Sequence, residues 1–224
     1  MFILPVGAVN VGRPYAAYQE AVAFGMAETT SFAVEAAAVL AAANARAMEV
    51  GSTISSVTAV AQDIARDGTA RAIRQVLAVV NPADTLLDFI AKVRADFLPF
   101  DPKSQPTLPG ETGEFAVDMN VPSTHLSIEE LPVALAALAY GGGDFIKTLR
   151  AAVCYGRDCD SIAGMAMGLF GGIHGVRAIP ESLRDACNAS NQRDYTAMAA
   201  SFASTIRGIV AVDVAEMERG RGSV

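Results

Sequence analysis

Tyr155-Gly156-Arg157-Asp158-Cys159-Asp160-Ser161-Ile162-Ala163-Gly164-Met165-Ala166-Met167-Gly168-Leu169-Phe170-Gly171-Gly172-Ile173-His174 is the stretch on which the fold turns. Asp158 and Asp160 stand two apart, and a hydroxyl follows at Ser161 where a loop passes into a helix. Two carboxylates this close repel and raise one another's pKa unless a cation lies between them. A hard divalent ion such as Mg2+ takes carboxylate and hydroxyl oxygens and usually keeps several waters. The spacing alone admits a second reading, in which Asp158 or Asp160 only caps the helix beginning near Ile162. Gly164, Gly168, Gly171 and Gly172 then fall in helix interior, where each costs about 1 kcal/mol relative to alanine. Gly164, Gly168 and Gly172 recur on one face, which predicts a helix held close against its neighbours. Such a helix gives the two carboxylates a rigid mount.

Working outward, almost every long segment repeats at helical period. Pro14 suits a first helical position, and residues 15–27 follow without a breaker. Residues 31–50 are apolar nearly all round, as befits a helix inside a bundle. Gly51 ends that helix, Ser52-Thr53 caps the next, and Ile54, Val57, Ala61 and Ile64 form its stripe. Asp67-Gly68 reads as a turn before a helix lined by Ile73, Val76, Leu77 and Val80. Asn81-Pro82 is expected to open a further helix, with Leu86, Phe89, Ile90, Val93 and Phe97 inward. From about 99 to 126 the pattern stops at Pro99, Pro102, Pro106, Pro109 and Pro122, which predicts a long loop. Ser127 and Glu130 read as a capping box. Helices are then expected to about residue 140, over 144–153, from 160 to about 174, from 180, and over 193–218. With no alternating strand and no internal repeat, the expectation is an all-α, multi-helix bundle forming one domain over 1–224.

Composition closes off several classes. Charged residues are 18% and apolar ones 52%, so the chain can bury a core and is not a disordered one. A net charge of -7 with no basic cluster argues against nucleic acid, which requires a positive footprint. Cys154, Cys159 and Cys187 are odd in number and lack paired spacing, which fits reduced thiols in the cytoplasm. The apolar start at Met1-Phe2-Ile3-Leu4 has no basic flank and meets Pro5 at once, unlike a secretory signal. No run of about 18 residues lacks a charge or a turn residue, so no membrane helix and no membrane partner are expected.

Gly156 to Pro180 resembles the C-terminal signature of the ADP-ribosylglycohydrolase family, where G-[GR]-D-x-D-[ST]-I-A leads a small-residue helix and then A-[IL]-P. The resemblance extends through Glu130-Leu131-Pro132-Val133-Ala134-Leu135. Pro5-Val6-Gly7-Ala8-Val9-Asn10 and Ser31-Phe32-Ala33-Val34-Glu35-Ala36-Ala37 look like segments from the middle of that family. The resemblance implies an ADP-ribosylglycohydrolase-like bundle with a binuclear Mg2+ (or Mn2+) centre. Asp158, Asp160 and Ser161 stand at the family's C-terminal ligand positions, with Gly156 and Arg157 beside them as substrate-binding residues. The implied reaction is metal-assisted hydrolysis of the bond joining ADP-ribose to an arginine, a serine or an acyl group. Its substrate would be an ADP-ribosylated protein or a small ADP-ribose derivative.

The family's other ligands come from an acidic S/T-D-D segment, and this chain has no adjacent Asp-Asp pair. Phe2 stands where many members have arginine, and a histidine usual before the Ser31-Phe32 segment is replaced by Glu28 or Thr29. The expectation is therefore an N-terminally incomplete hydrolase, with at most a partial metal site and activity only when complemented. The alternative is a non-catalytic ADP-ribose-binding or structural helical protein of the same fold. Exposed apolar faces would then favour a homodimer or a complementing chain. Among the remaining residues, His174 reads as a core or capping histidine, His125 as solvated and Cys159 as a packing residue. Glu35 and Asn44 reach either a helix edge or the surroundings of the site. Arg157 could neutralise Asp158, touch a phosphate or form a surface ion pair.

Overall fold

The computed structural model describes residues 2–30, 32–97 and 127–221. Among them every regular element is helical. The helices are α1 (Leu4–Val9), α2 (Pro14–Gly25), α3 (Phe32–Ala47), α4 (Ile54–Ile64), α5 (Asp67–Ala78) and α6 (Leu86–Phe97). They continue with α7 (Ser127–Gly141), α8 (Phe145–Tyr155), α9 (Cys159–His174), a 3-10 turn (Val176–Ala178), α10 (Glu181–Asn191) and α11 (Tyr195–Arg221). Where the sequence suggests one domain, the chain divides into two compact units, Met1–Ala178 and Ile179–Val224. Residues 98–126 lie outside the description, and with them His125 and the expected loop. So do the side chains of Phe97 and Ser127, and hence the hydroxyl of the expected capping box.

In the first unit α3 is the central post, packed by α1, α2, α4, α7 and α9. Its run Ala38-Val39-Leu40-Ala41-Ala42-Ala43 is fully buried. Alanine makes this possible, since it favours helix and its single methyl lets neighbouring backbones come close. Gly7 on α1 carries the idea further: a Cβ there would lie 2.5 Å from the Ala41 carbonyl oxygen and 2.8 Å from Asn44 Cβ. Backbone cannot retreat as a side-chain tip can. Gly7→Ala is expected to cost about 1–3 kcal/mol through overpacking, read as a lower midpoint in thermal unfolding. An unchanged midpoint would mean that α1 slides freely on α3.

On α9, a Cβ at Gly168 would meet Leu4 Cδ1 at 2.5 Å, and one at Gly172 would meet Ala47 Cβ at 3.0 Å. These two support the expected close face. Gly171, off that face, is open: a Cβ there meets nothing within 4 Å.

Local capping explains several helix starts. The Thr53 and Ser56 side chains each accept the other's backbone N–H, at 3.1 and 3.0 Å, at the head of α4. Asp144 accepts the Lys147 N–H at 2.8 Å at the head of α8. Two expectations need correction. Asp67-Gly68 is the first turn of α5 and not a turn before it, because the Arg66 N–H is held at 2.7 Å by Glu35. Asn81-Pro82 does not open α6, since Asn81 Oδ1 instead accepts the Ala83 N–H at 3.0 Å. Thr85 starts that helix, accepting the Asp88 N–H at 3.2 Å and donating its hydroxyl to the Asp88 carboxylate at 2.7 Å.

In the second unit α10 buries no residue, and α11 exposes Tyr195, Met198, Phe202 and Ile209. Tyr195–Gly220 is, by length and composition alone, long and apolar enough to cross a membrane, contrary to the expectation that no segment is. Arg207, Asp213, Glu216, Glu218 and Arg219 fall within it. Each charge at the centre of a membrane helix is opposed by about 2.5–3.5 kcal/mol.

Candidate functional site

The site is built on the passage from α8 to α9. Gly156 closes α8 at φ 81°, and Arg157 follows at φ 55°, a left-handed backbone that a long side chain seldom adopts. Something must hold Arg157 there. Its Nε lies 2.8 Å from Glu129 Oε2, whose side chain is only 3% exposed. The Tyr155 hydroxyl donates to Glu129 Oε1 at 2.7 Å. Arg94 from α6 spreads over the Tyr155 ring, 5.4 Å from its centroid, and donates to the Tyr155 carbonyl. Arg157 is therefore engaged by an acid on α7. A Cβ at Gly156 would stand 3.2 Å from Arg94 Nη2, which ties the expected Gly156–Arg157 pair to the same cluster.

Asp158 comes next. It occupies the position before α9, and its carboxyl is drawn to the Ser161 backbone N–H that a capping residue uses, without reaching full capping geometry. Its carboxyl meets Glu130, Asp160 and Ser161. Burial works upward on Asp158, but those hydrogen bonds outweigh it and its carboxyl sits below the usual range. Glu130 goes the other way. Burial first, then the hydrogen bond and charge of Asp158, push it up to about 7. Asp160 is exposed and Ser161 half-buried, so this end of the cluster is open to solvent. On the inner side Glu130 borders a cavity of about 550 Å³ whose walls include Phe24, Leu40, Leu131 and Met165, with Glu28 also on its lining.

A pH dependence follows. The folded-state pKa of Glu130 lies above its ordinary value of 4.5, so the native state holds the proton more tightly than the unfolded chain. That contribution is full below the unfolded pKa and is lost as pH rises through about 7. In chelator, the unfolding midpoint is expected to fall between pH 5 and pH 8, and Glu130→Gln should flatten that slope. A slope retained in the variant would assign it to another group.

The donor set of the cluster is hard oxygen: two aspartate carboxylates and a hydroxyl at one helix head, with a glutamate brought in from α7. Glu130 and Asp158 can share a hydrogen bond only if one of them keeps its proton; without it, a cation would have to offset their repulsion. Mg2+ is commonly held by one or two carboxylates with water completing its shell, so this chemistry suits a partly hydrated ion. Among the described residues no three His, Cys, Asp or Glu side chains, Glu130, Asp158 and Asp160 included, stand close enough together to hold a metal ion. What the cluster offers is therefore donor chemistry, hard oxygens at one helix head, and not an assembled ligand shell.

The other candidates find structural work. Glu35 accepts the Tyr18 hydroxyl as well as the Arg66 N–H, tying α2 and α5 to α3. Burial and that bond push Tyr18 up to about 12. Asn44 donates to the Leu4 carbonyl at 2.7 Å and fixes α1 on α3. His174 lies against Phe170 with ring centroids 4.4 Å apart. Cys159 is half-buried and unpaired, like the exposed Cys154 and Cys187. Glu129 and the second role of Glu130 were not legible in the sequence. The one available signal was two adjacent acids opening a helix that is otherwise deeply buried.

Comparison with protein families gives a match over residues 1–211 to the model described as ADP-ribosylglycohydrolase. No curated protein and no solved structure matches the chain.

Proposed function

Because this chain belongs to the ADP-ribosylglycohydrolase family, we propose that it carries part of a Mg2+-dependent centre for hydrolysing an ADP-ribosyl bond. The observation that supports this reading is the meeting of Glu130, Asp158, Asp160 and Ser161 at the head of α9. Asp158, Asp160 and Ser161 are the residues that would hold the cation, Mg2+ or Mn2+. Bound there, it would supply Lewis-acid polarisation of ribose oxygens. Glu130 can hold or release a proton near neutral pH, as an acid or base beside a scissile bond must. A cavity with largely apolar walls adjoins that carboxyl and gives a bound molecule a place beside it. The substrate class is an ADP-ribosylated protein side chain or a small ADP-ribose derivative. These donors number fewer than two metals require, so the remaining ligands of a binuclear centre would come from outside this cluster.

The test is release of free ADP-ribose from arginine-, serine- and acyl-linked ADP-ribose in Mg2+ or Mn2+, against a chelator control. Cation-dependent release from at least one linkage, abolished in Asp158→Asn, is the expected result. Neither release nor binding of ADP-ribose in any condition would overturn the proposal.

A further inference from the structure

We propose that Glu129 is a positioning residue that locks the Gly156–Arg157 turn and thereby aims Asp158 at Glu130, Asp160 and Ser161. The claim that the aimed carboxylate serves a cation rests on the function proposed above; the lock itself does not.

Glu129 is 2% exposed, and both its oxygens are engaged, Oε1 by the Tyr155 hydroxyl at 2.7 Å and Oε2 by Arg157 Nε at 2.8 Å. A buried carboxylate is a poor choice for stability alone, since an apolar side chain in its place is often neutral or better. Its partners explain what it does. Tyr155 is the last residue of α8 and Arg157 the second residue of the turn, so Glu129 grips the chain on both sides of Gly156. Gly156 and Arg157 both have positive φ, a conformation Arg157 does not adopt by preference, so a tether is needed to keep it. Arg94 holds the Tyr155 ring and carbonyl from the other side. Asp158 is the next residue, and its direction is set by the turn. Glu129 also sits directly before Glu130, so one rigid stretch of α7 carries both the tether and the carboxylate that Asp158 meets. Residues that orient a ligand without touching the metal commonly matter about 10- to 100-fold in affinity.

The experiment compares the full chain with Glu129→Gln and with Tyr155→Phe, the second removing only a hydroxyl and guarding against a first variant that does not fold. Amide hydrogen exchange is read over residues 156–162 and over α3, and Mn2+ affinity is followed by the electron paramagnetic resonance signal of the ion. The expected result is faster exchange confined to 156–162, with α3 unchanged, and Mn2+ affinity reduced by about 10- to 100-fold in Glu129→Gln. Unchanged exchange in the turn, or an equal rise throughout the chain, would overturn the proposal. If the unmutated chain takes up no Mn2+, the proposed function is what fails, and the exchange data alone decide whether Glu129 is the lock.

Discussion

Phe170→Ala is expected to lower the unfolding free energy by about 3–5 kcal/mol, the range for removing a buried phenylalanine. Phe170 is 1% exposed on α9, meets the Phe145 ring edge-on at 5.6 Å between centroids, and supports His174 at 4.4 Å. α9 also buries Ile162, Met165 and Leu169, but Phe170 is the one aromatic ring it puts into the core. The cavity left by the ring cannot be filled by a rotation of Gly171 or Gly172, which have no side chains to offer. For a chain of this size each kcal/mol is worth about 2–4 °C, so a fall of roughly 6–20 °C in the midpoint is expected. The effect reaches the site because the helix that loses its anchor bears Asp160 and Ser161 in its first turn. Calorimetry checks the stability, and titration with Mn2+ checks the site. A loss below about 2 kcal/mol, the lower end for large-to-small core changes, would mean that α9 is held by the rest of its packing against α3, α7 and α8 and not by its aromatic end.

The second large effect is stabilisation by a divalent cation, and its loss in Asp160→Ala. A ligand at about 100 times its dissociation constant stabilises the native state by about 2.7 kcal/mol, a shift of several degrees here. Asp160 is exposed, and replacing a surface residue usually changes stability by no more than about 0.5 kcal/mol. The variant therefore removes a donor without disturbing the fold, which separates binding from packing. Melting curves of both proteins in Mg2+, in Mn2+ and in chelator measure this directly. A shift of equal size in both proteins would place the cation elsewhere. No shift in either would leave Asp158 joined to Glu130 by a proton alone, and the Mg2+ proposal would fall.

The helices were readable because their signals are local. The Pro14 start, the all-round apolar face of α3, the Thr53 cap and the Asp144 cap each lie within a few residues of what they specify. The two misplaced starts show the limit of that rule. Asp67-Gly68 has turn composition, but a carboxylate on α3 captured the preceding N–H and allowed the helix to begin there. Asn81-Pro82 did make a turn, and the helix waited for the better cap at Thr85.

The sequence by itself determined the all-helical architecture, the family and the grouping of Asp158, Asp160 and Ser161, since those three follow one another on a single turn. Only the tertiary structure decided that Arg157 is held by Glu129, that Tyr155 reaches the same acid 26 residues away, and that Glu130 faces Asp158. Those pairings depend on α7 lying against α8 and α9, and the periodicity of a helix says which face is buried but not which partner it will meet.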